Sequence, residues 1–199
     1  MTDRSDPEFL PFALPSIGDE EVREVEAVLR AGWVTTGPRT IAFERAFAEY
    51  VGVPYAKAVN SCTAALHIML AALAVGPGDE VIVPSLTFAA TGNVVDHVGA
   101  TPVFADVDEA TLNVTAATIE AAITQQTKAV IVVHYAGLPC DLDAIKAVCE
   151  PRGIHVLEDA AHAVGTKYKG RLIGSHTEGV SFSFYANKNM TTGEGGMLT

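Results

Sequence analysis

Residues 130–135 read Val130-Ile131-Val132-Val133-His134-Tyr135, a run of four β-branched residues followed directly by a polar pair. Val and Ile favour strands, and an apolar run without alternation is typical of a strand that is covered on both faces. Such strands occur in parallel sheets that lie between two layers of helices. This stretch therefore predicts an α/β fold with a mostly parallel central sheet.

Similar short runs alternate with helical patterns along the rest of the chain. The predicted strands cover residues 55–60, 80–84, 101–106, 128–134, 154–158 and 180–184. The predicted helices cover residues 20–30, 41–51, 63–75, 115–124 and 142–150. The helix over 63–75 is apolar almost all round, so we expect it to be buried. The alternation supports a three-layer arrangement in which helices sandwich the sheet.

Composition limits the classes of function. The chain has 199 residues, 49% hydrophobic and 19% charged, which favours a single domain over residues 1–199 with a sizeable core. A net charge of −11 argues against binding to nucleic acid or to anionic membranes. No apolar run approaches the ~18 residues of a membrane span, and residues 1–8 lack the features of a signal peptide.

The three cysteines, Cys62, Cys140 and Cys149, have no Cys-x-x-Cys spacing. An odd, unspaced set of thiols is typical of a reducing compartment, so we expect a cytoplasmic protein without a metal site.

Polar clusters follow most of the predicted strands. They cover residues 61–63, 85–88, 134–135, 159–162 and 183–188. Ligands of open α/β sheets bind outside the carboxyl ends of the strands, so one shared pocket is the simplest interpretation. Five unrelated polar loops remain the alternative.

Lys188 is a lone lysine in the last of these clusters, in Ser181-Phe182-Ser183-Phe184-Tyr185-Ala186-Asn187-Lys188-Asn189-Met190. Hydroxyl-bearing residues and glycines surround it. An amine held there is suited to forming a Schiff base with an aldehyde, which is the chemistry that pyridoxal phosphate enzymes require. A solvated surface charge is the ordinary alternative for such a lysine.

Together with Glu158-Asp159-Ala160-Ala161-His162-Ala163, this stretch resembles the DegT/DnrJ/EryC1/StrS sugar aminotransferases. The resemblance covers nearly all of this chain but only the N-terminal part of the family's sequence. It implies the large domain of a fold-type I aminotransferase, apparently truncated, with the C-terminal small domain absent. It also implies pyridoxal phosphate as cofactor. A few relatives carry histidine in place of the lysine and catalyse dehydration, so Lys188 favours transamination.

The resemblance assigns roles at the catalytic end of the cofactor. Lys188 is expected to carry the Schiff base and to move a proton during transfer. Asp159 is expected to pair with the pyridine nitrogen, so that the ring stays protonated and accepts electrons. His162 is expected near the ring hydroxyl. Glu158 receives no role, because strand alternation points its side chain away from the ring.

Further roles concern the phosphate and the ring face. The resemblance implies that the backbone amide of Cys62, together with Thr63 and Ser183, binds the phosphate at a helix N-terminus. Phe88 is expected to stack on the ring. From the residues alone, 61–63 could be a plain N-cap, and Phe88 could be a core residue.

The expected reaction moves an amino group from glutamate to a keto group of a nucleotide-linked sugar. Residues 10–12, 33–38, 134–137 and 158–174 look closest to the branch of the family that makes UDP-4-amino-4-deoxy-L-arabinose. A cyclitol-type acceptor, or a fragment that binds cofactor or a partner without turnover, are the alternatives. The resemblance also implies a homodimer and suggests that residues 32–38 line the substrate entrance, although a helix-ending turn explains them equally well.

Overall fold

The computed structural model describes residues 10–199; the segment 1–8, discussed above for signal features, lies outside the described residues. The strands are β1 (Lys57–Val59), β2 (Glu80–Pro84), β3 (Thr101–Ala105), β4 (Thr127–Val133), β5 (His155–Asp159), β6 (Lys167–Tyr168), β7 (Arg171–Leu172), β8 (Gly179–Ser183) and β9 (Gly196–Leu198). The α-helices are α1 (Asp19–Ala31), α2 (Pro38–Val51), α3 (Cys62–Ala72), α4 (Ala90–His97), α5 (Ala116–Ala122) and α6 (Leu142–Cys149).

Seven strands form one sheet in the order β1-β9-β8-β5-β4-β2-β3, and β6 pairs with β7 in a separate ribbon. The neighbours from β3 to β8 are all parallel. Strand β9 is antiparallel to both of its neighbours, β1 and β8. The predicted mostly parallel sheet is therefore confirmed, and each predicted strand forms within two residues of its predicted bounds.

The core is divided by the sheet into two apolar layers. On β4, Val130 and Val132 pack into a cluster with residues of α2, α5 and α6. The alternate residues, Ala129 and Ile131, pack on the other face against α3 and α4. Both sets are fully buried, as expected for a strand with helices on each side. This is the three-layer α/β arrangement.

Helix α3 is less buried than its composition predicts. Leu66, Met69 and Leu70 face the sheet and are buried, whereas Ile68 is 44% exposed. The prediction that the helix is buried all round was therefore wrong. The physical reason is its place in an outer layer, where one side has no described element to cover it.

Helix α1 has the predicted amphipathic pattern, and Gly32 ends it in the left-handed conformation. None of its residues is buried, and Val22, Val25 and Leu29 stay exposed. Its apolar stripe thus has no cover within residues 10–199. No helix in this described range is long and apolar enough to cross a membrane.

Candidate functional site

The predicted polar clusters lie where parallel strands end. Strand β5 ends at Asp159, β8 ends at Ser183, and His134 follows β4 directly. Since the carboxyl ends of parallel strands share one edge of a sheet, these loops meet there. Cys62 contacts Asp159 there, and the charges of Asp159 and Lys188 both act on Cys62 and His162.

Asp159 is the best-anchored group of the site. It is 5% exposed, and its Oδ1 accepts a hydrogen bond from the backbone N–H of Ala161 at 3.1 Å. The Thr91 hydroxyl donates to Oδ2 at 3.0 Å, and the Cys62 thiol lies 3.6 Å from Oδ1. A buried carboxylate with donors on both oxygens has a fixed orientation. An oriented carboxylate of this kind is suited to binding a cationic group.

Thr91 was not identified from the sequence. It is fully buried in the first turn of α4, a helix that was also missed. Its hydroxyl contacts that of Thr87 at 2.7 Å as well as Asp159. Two threonines four residues apart, after a predicted strand, were the available signal.

His162 lies in the loop after β5, and its Nδ1 accepts a hydrogen bond from the backbone N–H of Ala136 at 3.3 Å. Nδ1 therefore carries no proton, and in the neutral ring the proton is on Nε2. Burial lowers the pKa of His162, and the nearby charge of Lys188 lowers it further. At neutral pH His162 is thus a neutral ring with one free donor, Nε2–H.

Lys188 is half-buried in the loop between β8 and β9. Its backbone N–H donates to the Tyr185 carbonyl at 3.0 Å. Thr191 and Thr192 both donate to the carbonyl of Phe184, which closes the base of the loop. Backbone contacts rather than a salt bridge thus position this lysine among the described residues.

The N-terminus of α3 is close to β9. The Ser61 hydroxyl caps it by accepting from the N–H of Ala64 at 3.1 Å, so the N-cap interpretation holds for Ser61. The N–H groups of Cys62 and Thr63 have no intrahelical partner, because they belong to the first turn. Gly196 allows the close approach: a Cβ there would lie 2.7 Å from the Cys62 nitrogen. The result is a pair of free donors at a helix N-terminus.

The thiol of Cys62 is not a nucleophile at neutral pH. Burial raises its pKa well above the usual value, and the negative charge of Asp159 raises it further. The thiol also lies 3.4 Å from the Ser181 hydroxyl. This agrees with assigning Cys62 its backbone amide rather than thiol chemistry.

Within residues 10–199, no hydrogen bond joins Phe88 or Ser183 to Cys62, Asp159, His162 or Lys188. Phe88 is 81% exposed in the loop between β2 and α4, so its interpretation as a core residue was wrong. Ser183 is buried at the end of β8, where its Oγ accepts from the N–H of Tyr185 at 3.4 Å. Their roles toward a cofactor remain predictions.

Glu158 points away from Asp159, as strand alternation predicted. It forms a fully buried pair with His134, and its other oxygen accepts from the Thr177 hydroxyl at 2.7 Å. Gly32 ends α1, residues 33–37 connect it to α2, and Trp33 Nε1 donates to the Thr36 carbonyl at 3.0 Å. A place at the substrate entrance stays a prediction for this turn.

Comparison with known proteins identifies similar sequences and structures. A sequence profile of the DegT/DnrJ/EryC1/StrS aminotransferase family matches residues 15–199. The spore coat polysaccharide biosynthesis protein SpsC of Bacillus subtilis is 58% identical over 191 residues, which are 96% of this chain and 49% of SpsC.

Solved structures of aminotransferases are also similar to this chain. One is the pyridoxal phosphate form of Spr1654 from Streptococcus pneumoniae, which is described as a sugar aminotransferase. It matches with a TM-score of 0.92 and 43% sequence identity, and the match covers 96% of this chain and 52% of Spr1654. The synthase of 3-amino-5-hydroxybenzoic acid matches with a TM-score of 0.90 and 40% identity, over 96% and 50%. The chain spans about half the length of these relatives.

Proposed function

The chain belongs to the DegT/DnrJ/EryC1/StrS aminotransferase family, and we propose that it forms the cofactor-binding part of a pyridoxal phosphate-dependent transaminase. Its fold is that of the fold-type I aminotransferases. The observation that carries the proposal is the Asp159 carboxylate, which is buried and accepts hydrogen bonds on both oxygens. Lys188 lies close enough for its charge to lower the pKa of His162 in the same loop cluster.

The residues fit this cofactor at each of its polar groups. A phosphate dianion suits the N-terminus of α3, where Cys62 and Thr63 offer N–H groups and the helix dipole favours negative charge. Ser183 adds a hydroxyl in this proposal. Gly196 keeps the space beside these amides free of a side chain.

Asp159 and His162 orient the ring. The Asp159 carboxylate would accept from a protonated ring nitrogen, and a charge-assisted bond of this kind would hold the proton there. His162 Nε2–H would donate toward the ring hydroxyl, because its Nδ1 already accepts from Ala136. Phe88 would cover the ring face and exclude water.

When bound, the cofactor withdraws electrons from the amino donor's α-carbon. Lys188 would hold the cofactor's aldehyde through its Nζ and would carry a proton to or from the α-carbon of the amino donor. A neutral amine is needed for both tasks.

For the substrates, we propose glutamate as amino donor and a nucleotide-linked keto sugar as acceptor. A UDP-4-keto-pentose is our specific candidate, based on the resemblance in residues 10–12, 33–38, 134–137 and 158–174. We also propose a homodimer in which each partner completes the other's site. The same proposal includes a cytoplasmic location, with which the three free cysteines are consistent.

A second acceptor class has its own support. The likeness to the synthase of 3-amino-5-hydroxybenzoic acid, whose named product is a ring compound without a nucleotide, supports a cyclitol-type acceptor as the second candidate. Nitrogen-labelled glutamate, offered with a UDP-4-keto-pentose or with a keto cyclitol, distinguishes the two classes by which product carries the label.

Borohydride trapping tests the central proposal. We expect the purified protein, incubated with pyridoxal phosphate and reduced, to gain the mass of one cofactor on the peptide that contains Lys188. Lys188→Arg removes this gain, whereas Lys167→Arg, at an exposed lysine on β6, keeps it. A mass gain that survives Lys188→Arg would contradict the proposal.

Addition of glutamate then tests turnover. Conversion of the bound cofactor to its amine form, with release of 2-oxoglutarate, supports a transaminase. Bound cofactor without conversion supports a chain that binds cofactor but does not turn over.

A further inference from the structure

Among residues 10–199, Thr91 is the one buried residue whose hydroxyl forms a hydrogen bond with the Asp159 carboxylate. Its Oγ1 lies 3.0 Å from Asp159 Oδ2 and 2.7 Å from the Oγ1 of Thr87. Thr91 is fully buried, whereas Thr87 is half-buried. The three residues therefore form a continuous chain from the loop after β2 to the end of β5.

The direction of this chain follows from the carboxylate. An ionised carboxylate only accepts hydrogen bonds, so the proton of Thr91 points to Asp159. The oxygen of Thr91 is then the acceptor for the hydroxyl of Thr87. Each donor polarises the next, which strengthens the bond that reaches Asp159.

The two oxygens of Asp159 are held differently. Oδ1 is fixed from its own loop, by the N–H of Ala161, and it also lies near the Cys62 thiol. Oδ2 is reached by Thr91 alone among the described side chains. Rotation of the carboxylate about its Cβ–Cγ bond is therefore opposed on one side by backbone and on the other by this hydroxyl.

We propose that Thr91, supported by Thr87, is a positioning residue that sets the angle of the Asp159 carboxylate toward the ring nitrogen of the cofactor. The inference rests on the proposed function. A misaligned carboxylate holds the ring nitrogen's proton less firmly, and a ring that is less protonated withdraws fewer electrons. Thr91 thereby affects the chemical step without touching cofactor or substrate.

Thr91→Val is the principal test, since valine has nearly the same shape but no hydroxyl. We expect kcat for the reaction with glutamate to fall about 10-fold to 100-fold, the range for a lost hydrogen bond to a charged group, with KM nearly unchanged. The pH midpoint of the bound cofactor's absorbance change should rise, because a ring that withdraws fewer electrons leaves the lysine nitrogen more basic.

Thr91→Ser keeps the hydroxyl and should restore both kcat and the midpoint. Thr101→Val makes the same chemical change at an exposed position of β3 and should behave as the parent protein. Thr87→Val removes only the supporting donor, so it should change kcat and the pH midpoint in the same direction as Thr91→Val but by a smaller amount. This variant replaces Thr91→Val as the test if Thr91→Val does not fold.

Two results would overturn the inference: an unchanged absorbance titration in Thr91→Val, or a serine variant as impaired as the valine variant. In either case the parent protein must still trap cofactor on Lys188. If the parent protein does not trap it, the proposed function fails instead, so the two failures are distinguishable.

Discussion

His134 Nε2 lies 2.7 Å from Glu158 Oε2, and both side chains are completely buried. Glu158 precedes Asp159 in sequence, and His134 follows Val133, the residue that pairs with Asp159 in the sheet. His134 Nδ1 accepts from the N–H of Cys140 at 3.2 Å, and its own backbone N–H donates to the Asp159 carbonyl at 3.1 Å. The pair therefore joins the ends of β4 and β5 directly behind the candidate site.

Removal of either His134 or Glu158 should lower the free energy of unfolding substantially. His134→Ala leaves the Glu158 carboxylate buried without its main partner, and we expect the free energy of unfolding to fall by about 3–5 kcal/mol. His155→Ala is the matched control, because the His155–Glu178 pair is partly exposed to solvent and should be worth about 0–1 kcal/mol. Urea unfolding of both variants measures the difference; equal losses would contradict it.

The proximity of Lys188 and His162 has a direct readout. His162 has a lowered pKa because of burial first and the charge of Lys188 second. Its NMR titration in the cofactor-free protein should have a midpoint below the ordinary value of 6.5. Lys188→Ala should raise that midpoint without restoring it fully, since burial persists. Lys167→Ala should leave it unchanged, and an equal response to both variants would refute the proximity.

Alkaline pH should destabilise the protein through two buried thiols. Burial, together with the charge of Glu158, raises the pKa of Cys140 to about 12, and burial raises that of Cys149 to about 11. A raised acid pKa favours the protonated folded state, so this stability is complete below pH 9.0 and is lost as pH rises toward these values. The expected loss is about 1.4 kcal/mol per pH unit for each thiol.

Urea unfolding at several pH values above 9.0 measures this loss. Cys140→Ala should have a shallower slope than the parent protein, whatever its absolute stability. A slope that Cys140→Ala leaves unaltered would argue against the role of this thiol.

Gly196 should not tolerate a side chain. A Cβ at this position would lie 2.6 Å from the Ser61 carbonyl carbon and 2.7 Å from the Cys62 nitrogen, both backbone atoms. We expect Gly196→Ala to destabilise the protein by about 1–3 kcal/mol and to weaken binding of pyridoxal phosphate. Gly76→Ala, where the nearest atom is at an ordinary 3.7 Å, is the control. Thermal unfolding and cofactor titration check both.

The sequence predicted the sheet well because its strands carry unmistakable apolar runs. It missed α4, since Gly92 and Asn93 disfavour a helix and the helix depends on burying Val94 and Val95 against β2 and β3. Missing α4 also meant missing Thr91. Local propensity contains no information about such tertiary burial.

The motifs predict Asp159, His162 and Lys188 as site residues, and the structure brings them close enough for the charges of Asp159 and Lys188 to act on His162. Their roles toward a cofactor remain predictions, and packing alone decides the rest of the site. Phe88 was open to two interpretations, because an aromatic residue in a loop has the same sequence pattern whether it is buried or exposed. Its exposure follows from the path of the loop between β2 and α4, which the sequence does not specify.

Strand β9 lies between β1 and β8, so β1 joins the sheet only through a strand that is far later in the chain. During synthesis, β1 therefore has no hydrogen-bonding neighbour until residues 196–198 have left the ribosome. Pairing over such a long sequence separation is slow. The donors at the start of α3, which contact β9 at Gly196, are in place only after β9 docks, so we expect the nascent chain to bind cofactor only after residues 196–198 have emerged.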